Sequence, residues 1–532
     1  MFGLLVMIST TIPYLIGYNS QGADWEFTGF VFGVEDGNSY IAKMLTGADG
    51  AWLFRTPYTS FQQNGIIAFF TYILIGKLTA NPGQHEQLVA LFHTYRFVAG
   101  LLAIHATYGF VAYYITHIWL RRLGLALATL GGGLGWLLVI LGESEILGSL
   151  PLEFYSPETF GFLSLYGIAH LNLSRAAFFW GLTTYLKSLN KVDEIHIYQV
   201  VKFGGYWLLV ALVQPITAVV LPIVIGLHLL SLYISQAWIL KSNRLHLGWK
   251  KIFKLSRFVI IAGLFPAPLI LYNVWIHNRD PFFMAWQAQS IVKSPHPLHY
   301  VFAYGVMIPL AYMGGKRLIK NLIVPGLLPV AWVISLPLLV YYPSNFQRRM
   351  SEGIWVAIIV LALSSLPVTR SLGNKSLRLL MPVFVISFIS SLMLITGGIL
   401  TALYPSLPAF RPKTEVMAFR YLSENGNSKD VVLATYSSSN ALPAWTPVKV
   451  VVGLRPESVD ASELTPKVNA FFRIDITDQE RKNFLEEQGI NFILWGFGER
   501  TLGDWNPNDT EYLLNVYQNE EYSLFSVEIN DE

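Results

Sequence analysis

The feature that most constrains this chain is a succession of apolar stretches, each near the length a helix needs to cross a bilayer. A hydrocarbon core about 30 Å thick takes about 20 apolar residues in helical form. Such stretches occupy roughly residues 2–18, 86–118, 123–142, 161–186, 204–220, 221–239, 257–276, 298–313, 321–341, 353–368 and 380–402, which predicts about eleven spans. Only 13% of the residues are charged, about half the share in an ordinary soluble domain. The chain therefore reads as an α-helical polytopic membrane protein. Segment 62–80 is a weaker stretch, interrupted by Gln62, Gln63, Asn64 and Lys77 and ended by Pro82-Gly83. It is expected to lie at the interface as a helix.

Charge sets the expected orientation. With a cytoplasmic N-terminus, the inner loops carry Arg121-Arg122, Lys187, Lys191, Lys202, Lys241, Arg244, Lys250, Lys251, Lys254, Lys316, Arg317, Lys320, Arg370, Lys375 and Arg378. The outer loops hold few basic groups, chiefly Arg55, Arg279, Lys293 and Arg348-Arg349. This is the positive-inside pattern of a multi-pass protein. Counting 62–80 as a full span would invert it. Gln214-Pro215 breaks one long apolar run, as a kink or a tight hairpin. The first 18 residues lack a basic n-region and a cleavage pattern, and are expected to be a retained helix.

Residues 403–532 differ from the rest. Residues 411–532 carry 11 Lys+Arg against 20 Asp+Glu, whereas the remaining chain holds 26 against 14. Pro405, Pro408 and Pro412 punctuate the exit from the last apolar stretch. Helices near 413–424 and 478–488 are predicted, with strands at 431–435, 448–453 and 491–495 and a strand pair at 514–527. This predicts a small α/β domain outside the cytoplasm, following a membrane domain over 1–402 whose first outer loop is 19–85. The basic residues sit in short loops between spans, so nucleic acid is not an expected partner. The chain contains no cysteine, which excludes disulfides, thiolate metal sites and a cysteine nucleophile.

Within the first outer loop, Glu35-Asp36 is followed by Gly37-Asn38-Ser39-Tyr40, and Gly50-Ala51-Trp52 closes the segment. Adjacent carboxylates at a membrane surface are costly unless paired, metal-bound or used in chemistry. The loop resembles that of the GT-C membrane glycosyltransferases, such as the aminoarabinose transferases and protein O-mannosyltransferases. In those families an acidic pair opens a helix, an aromatic follows four residues on, and a Gly-x-Trp ends it. The likeness covers about the first 140 residues, and beyond them only the topology agrees. The pair here is Glu-Asp rather than Asp-Glu or Asp-Asp. Asp36 is preferred as the catalytic carboxylate because Tyr40 is in register with it, with Glu35 beside it.

The resemblance implies transfer of a sugar from a polyprenyl-phosphate donor to a glycan, lipid or protein acceptor on the outer face of the plasma membrane. A single base suffices for an inverting transfer, because phosphate is already a good leaving group. Arg348 and Arg349 suit the donor phosphate. Tyr40, Glu158, His170, Trp286, Gln289 and Gln347 are further candidates for binding substrate, with Gln287 alongside. Trp445, Arg455 and Glu457 of the tail are candidates for capping the cavity. The resemblance implies no definite cofactor. A divalent metal on Asp36 and Glu158 stays open, since the family is not uniformly metal-dependent.

Plainer readings stand beside these. Glu35-Asp36 could simply favour the start of a helix near Asn38, and Arg348-Arg349 could bind lipid headgroups. His170 could be a packed polar residue, and Trp286 part of the interfacial aromatic belt. Arg96, inside a span, must face protein or water. The run Gly131-Gly132-Gly133 with Gly135 lies in an apolar stretch with no strand before it, so it reads as close helix packing. A transporter of lipid-linked intermediates and a non-catalytic scaffold are the alternative functions.

Overall fold

The computed structural model describes residues 1–143, 145–238, 247–321, 324–366 and 375–528. Lys241, Arg244 and Arg370, together with the side chains of Lys375 and Arg378, lie outside the described residues. The chain divides into two compact units. The first comprises Met1–Thr10, Tyr95–Trp275 and Ile291–Gly397, and the second Thr11–Thr94, Ile276–Ser290 and Gly398–Glu532.

Among the described residues, four helices are long and apolar enough to cross a membrane: Phe2–Ser20, Gln84–Tyr114, Pro215–Ala237 and Leu380–Leu403. A fifth candidate is the pair Trp249–Gly263 and Ala267–Arg279, bent by 58°. The other apolar stretches form shorter or interrupted helices, among them Ile118–Leu130 with Gly135–Ile140, Gly161–Gly167 with Ala169–Asn190, and Pro297–Tyr304 with Ile308–Lys320.

The first unit is built on an apolar core in which Trp332, Trp355, Phe178 and Phe179 are fully buried. The glycine run is a helix interruption rather than a helix-packing face. Residues 131–134 leave the helix, and their backbone N–H groups find acceptors elsewhere: Gly132 donates to Ser387 O at 2.6 Å and Leu134 to Phe302 O at 2.9 Å. The Glu153 carboxylate accepts from Gly133 N at 3.0 Å and Gly135 N at 2.8 Å. Unwound backbone in an apolar setting is tolerated only when satisfied in this way. Glycine is required at 133, where a Cβ would lie 2.2 Å from Ala303 O. The break at Gln214-Pro215 is a helical hairpin. Ile197–Val213 ends there and Pro215–Trp238 begins, and Trp207 Nε1 donates to Ala218 O at 3.0 Å. In a straight helix those residues would stand about 16 Å apart. Arg96 is fully buried and donates to Thr10 Oγ1 at 2.9 Å and Leu165 O at 3.0 Å, so it faces protein.

The second unit contains both sheets. Strand β1 (Trp25–Phe27) pairs antiparallel with β2 (Phe410–Pro412). The five-stranded sheet uses β3 (Val431–Leu433), β4 (Lys449–Val450), β5 (Phe492–Trp495), β6 (Leu513–Gln518) and β7 (Ser523–Val527), in the order β4-β3-β5-β7-β6. The first three strands run parallel, and β7 and β6 add antiparallel. Helices at Lys413–Asn425 and Asp478–Gln488 fall where the sequence predicts them. Thr477 and Glu480 form a capping box at the start of the second. Val450 N donates to Pro57 O at 2.8 Å, so the segment around Pro57 covers the free edge of β4 and protects it from pairing elsewhere.

Segment 62–80 is not the long interfacial helix expected from sequence. Its only helix is Phe70–Gly76, preceded by irregular chain whose Ile66 bridges to Phe54. That short helix packs into Val34–Ala48 through two glycines. A Cβ at Gly47 would lie 2.1 Å from Ile73 O, and one at Gly76 would lie 1.8 Å from Met44 O. Backbones this close leave room only for hydrogen.

Candidate functional site

The acidic pair stands in the first turn of the helix Val34–Ala48, which starts four residues earlier than the sequence suggests. The N-cap is Gly33, held at φ 56° and ψ 45° in the left-handed region. A glycine there lets the chain turn sharply into the helix and offers no capping side chain. Glu35 and Asp36 are both exposed. Tyr436 donates from its hydroxyl to Glu35 Oε2 at 3.3 Å, and the Arg455 backbone N–H donates to the same hydroxyl oxygen at 3.3 Å. The end of the Glu35 side chain is desolvated, which raises its pKa. The Tyr436 hydrogen bond opposes this, the neighbouring Asp36 adds to it, and the Arg455 cation opposes it. Sequence reasoning proposed Arg455 for this region but missed Tyr436, whose only signal was an aromatic among serines.

Below the pair, the helix is held by a buried polar network that the sequence did not announce. Lys43 Nζ lies 2.5 Å from Glu457 Oε1, and both side chains are almost wholly buried. Thr56 Oγ1 donates to Glu457 Oε2 at 2.5 Å, and Ser39 bonds to both Lys43 and Glu457. Asn38 donates to Asn440 Oδ1 at 2.9 Å, and Tyr58 donates to Asn440 O at 3.0 Å. Glu457 thus anchors the helix instead of lining a cavity. Trp445 likewise packs inward, stacked on His85 at 3.9 Å.

The other candidates in the second unit are structural in placement. Tyr40 is buried, its ring stacked on Tyr72 at 5.0 Å and Phe92 at 5.7 Å. Trp286 stacks on Phe69 and Phe283. Gln289 uses its amide to receive Ala461 N and to reach Ser458 O. Residues 280–289, expected as a loop, form the helix Pro281–Gln289 behind the Asp280 N-cap. The Asp-Pro pair was the available signal. Gln287 is exposed on that helix.

In the first unit, Glu158 lies beside the Arg348-Arg349 segment. Arg349 Nε approaches Glu158 Oε1 at 3.5 Å. Arg348 donates to Tyr155 O at 2.8 Å, with its guanidinium 4.2 Å from the Tyr155 ring centre. Arg348 Nε, Arg349 Nε and Glu158 Oε2 are buried without a hydrogen-bond partner among the described residues. Arg175, which sequence reasoning passed over although it lies in an apolar stretch, organises this loop pair. It donates to Glu352 Oε1 at 2.7 Å, Ser164 Oγ at 2.8 Å, Pro157 O at 2.6 Å and Glu158 O at 3.0 Å. Gln347 spans Tyr342 O and Ser294 N and so fastens the same loops. His170 is half-buried in the first turn of Ala169–Asn190. Among the described residues, no group of three or more His, Asp or Glu is placed to hold a metal ion. Neither Asp36 nor Glu158 therefore belongs to a ready-made metal cluster.

No protein-family model and no curated protein matches this sequence. Solved structures do match in fold. The archaeal oligosaccharyltransferase AglB from Archaeoglobus fulgidus, solved with an inhibitory peptide and a dolichol-phosphate, aligns over 93% of this chain and 69% of its own at 11% identity and a TM-score of 0.54. ArnT from Cupriavidus metallidurans, bound to undecaprenyl phosphate, aligns over 98% of both chains at 11% identity and a TM-score of 0.51. The fold is that of the GT-C glycosyltransferases. The mycobacterial arabinofuranosyltransferase AftD shares this GT-C fold over 99% of the present chain but only 40% of its own, at 12% identity and a TM-score of 0.57. The likeness therefore runs through the whole chain, well past the first 140 residues that carried the sequence resemblance.

Proposed function

We propose that this protein is a membrane glycosyltransferase that moves a sugar from a polyprenyl-phosphate carrier to an acceptor on the extracytoplasmic face. The observation that carries the reading is the exposed Glu35-Asp36 pair at the start of a helix pinned by a buried ion pair, on a GT-C fold. In this reading the chain crosses the plasma membrane about eleven times from a cytoplasmic N-terminus, with residues 403–532 outside the cytoplasm.

Asp36 takes the proton of the acceptor hydroxyl as the new bond to the anomeric carbon forms. The bond from that carbon to the phosphate oxygen breaks, and its electron pair leaves with the polyprenyl phosphate, inverting the anomeric centre. Glu35, with a raised pKa and a Tyr436 hydrogen bond, is the weaker candidate and serves to position its neighbour. Arg348 and Arg349 bind the donor phosphate, and the Arg348 Nε, which has no hydrogen-bond partner among the described residues, supports that role. No step is routed through a metal. The helix interruption at 131–134 would suit a transporter's solute site, but Glu153 closes it.

The test is donor binding and hydrolysis by the full chain in nanodiscs, using a polyprenyl-phosphate-hexose. Wild type should bind and slowly turn over the donor. Asp36→Asn should bind it without turnover, and Arg348→Ala should bind at least about tenfold more weakly. Full turnover by Asp36→Asn would remove the base assignment. Absence of donor binding by wild type would favour the scaffold or transporter.

A further inference from the structure

The C-terminal half of the helix Val34–Ala48, the loop 51–57 and the tail segment 443–449 enclose a cavity of about 200 Å³, wholly within the second unit. Its polar lining includes Asp49, Arg55, Thr56, Thr446 and Lys449, with Thr46 and Ser428 beside them. Arg55 and Lys449 are close enough to repel. Burial lowers the Lys449 pKa first, and the Arg55 cation lowers it further. Neither cation has an ion-pair partner among the described residues. Asp49, the acidic group of the same lining, is exposed and forms no ion pair with either cation among the described residues, and desolvation of its carboxyl raises its pKa to about 6. Thr56 is committed to Glu457. Thr446 lies behind the accessible lining: it is fully buried, and its Oγ1 has no hydrogen-bond partner among the described residues.

Two like charges beside one cavity repel each other. An oxyanion relieves the repulsion through charge-assisted hydrogen bonds. The volume falls short of the roughly 300–1,000 Å³ of drug-sized pockets, so the ligand is small. We infer that this cavity binds an oxyanion borne on a monosaccharide-sized ligand, a sugar carboxylate or sugar phosphate. Arg55 and Lys449 take the charge, and Asp49 the hydroxyls. Thirteen helical residues separate Asp36 from Asp49, or about 20 Å at 1.5 Å per residue, so this is a subsite apart from the acidic pair. On a glycosyltransferase it would select acidic acceptor chains. The binding itself needs no chemistry at Asp36, so the two readings fail separately.

The experiment is calorimetric titration of the full chain in nanodiscs with glucuronate, glucose 6-phosphate, glucose and inorganic phosphate. Wild type and Asp36→Asn should bind the two acidic sugars equally, and more tightly than glucose or inorganic phosphate. Arg55→Ala, Lys449→Ala and the cavity-filling Ala51→Trp should each weaken glucuronate at least about tenfold. Arg55 is exposed, so its variant should keep the wild-type melting transition. Glucose binding as tightly as glucuronate overturns the inference. So does inorganic phosphate matching glucose 6-phosphate, undiminished binding in Arg55→Ala, or no binding of either acidic sugar.

Discussion

Replacing Lys43 by Met removes one partner of a buried ion pair while leaving the hydrocarbon volume nearly unchanged. Lys43 is 1% exposed and Glu457 5%, so no water can replace the lost ammonium. The stranded carboxylate keeps the Thr56 and Ser39 hydroxyls, which cannot offset a full charge. Breaking a buried pair from one side costs about 3–5 kcal/mol. For a unit of some 150–250 residues, each kcal/mol shifts the melting point by about 2–4 °C, so a fall of roughly 6–20 °C is expected. The double variant Lys43→Met/Glu457→Met removes both charges and should recover most of the loss, because two apolar side chains of similar volume are often neutral in such a site. The assay is thermal unfolding of the full chain in detergent, followed by tryptophan fluorescence at a fixed scan rate. A shift under about 2 °C for Lys43→Met, or a double variant as unstable as the single one, would refute the reasoning. Either result would mean that the pair is hydrated and does not pin the helix that carries Asp36.

Other consequences are testable in the same system. Gly76→Ala forces a methyl to within 1.8 Å of Met44 O. It should cost about 1–3 kcal/mol, measured as a lower melting point, whereas Ala at the open Gly205 position should be tolerated. Burial raises the Asp49 pKa to about 6 from an ordinary value near 4, so the folded state holds that proton more tightly. Its contribution to stability is fully present below pH about 4, declines as pH rises to about 6, and is flat above. Asp49→Asn should remove that slope from a plot of melting point against pH. Arg175→Met unfastens Glu352 and the 157–158 carbonyls. It should lower donor affinity through Arg348 and Arg349 while leaving the second unit's ligand binding unchanged, as read by paired titrations.

The polytopic helical character and the layout of the tail were legible because both rest on local patterns. Apolar runs of about 20 residues have few alternatives to a buried helix. The capping box at Thr477 and Glu480 and the β-rich runs near 431, 491 and 514–527 act within a few residues. The Glu35-Asp36 pair is conspicuous in the sequence for a similar reason, since adjacent carboxylates next to an apolar span stand out. The same local logic misjudged 62–80, where only Phe70–Gly76 is helical, packed with Gly47 on Ile73 and Gly76 on Met44.

Partners distant in sequence belonged to the tertiary structure alone. Nothing near Lys43 says that its counter-ion is Glu457, 414 residues away. Nothing near Glu153 says that it closes a helix break at 133–135. Tyr40 and Trp286 looked like ligand-facing aromatics because sequence records residue type and not the direction a ring faces. The fold turned both into packed rings. The cavity between Arg55 and Lys449 has no sequence signature at all, since it exists only where the segment 51–57 meets the edge strand β4. Local patterns specify which elements form, because their energetics are set by near neighbours. Which charges meet is settled by long-range packing, because only the folded chain brings them within hydrogen-bond distance.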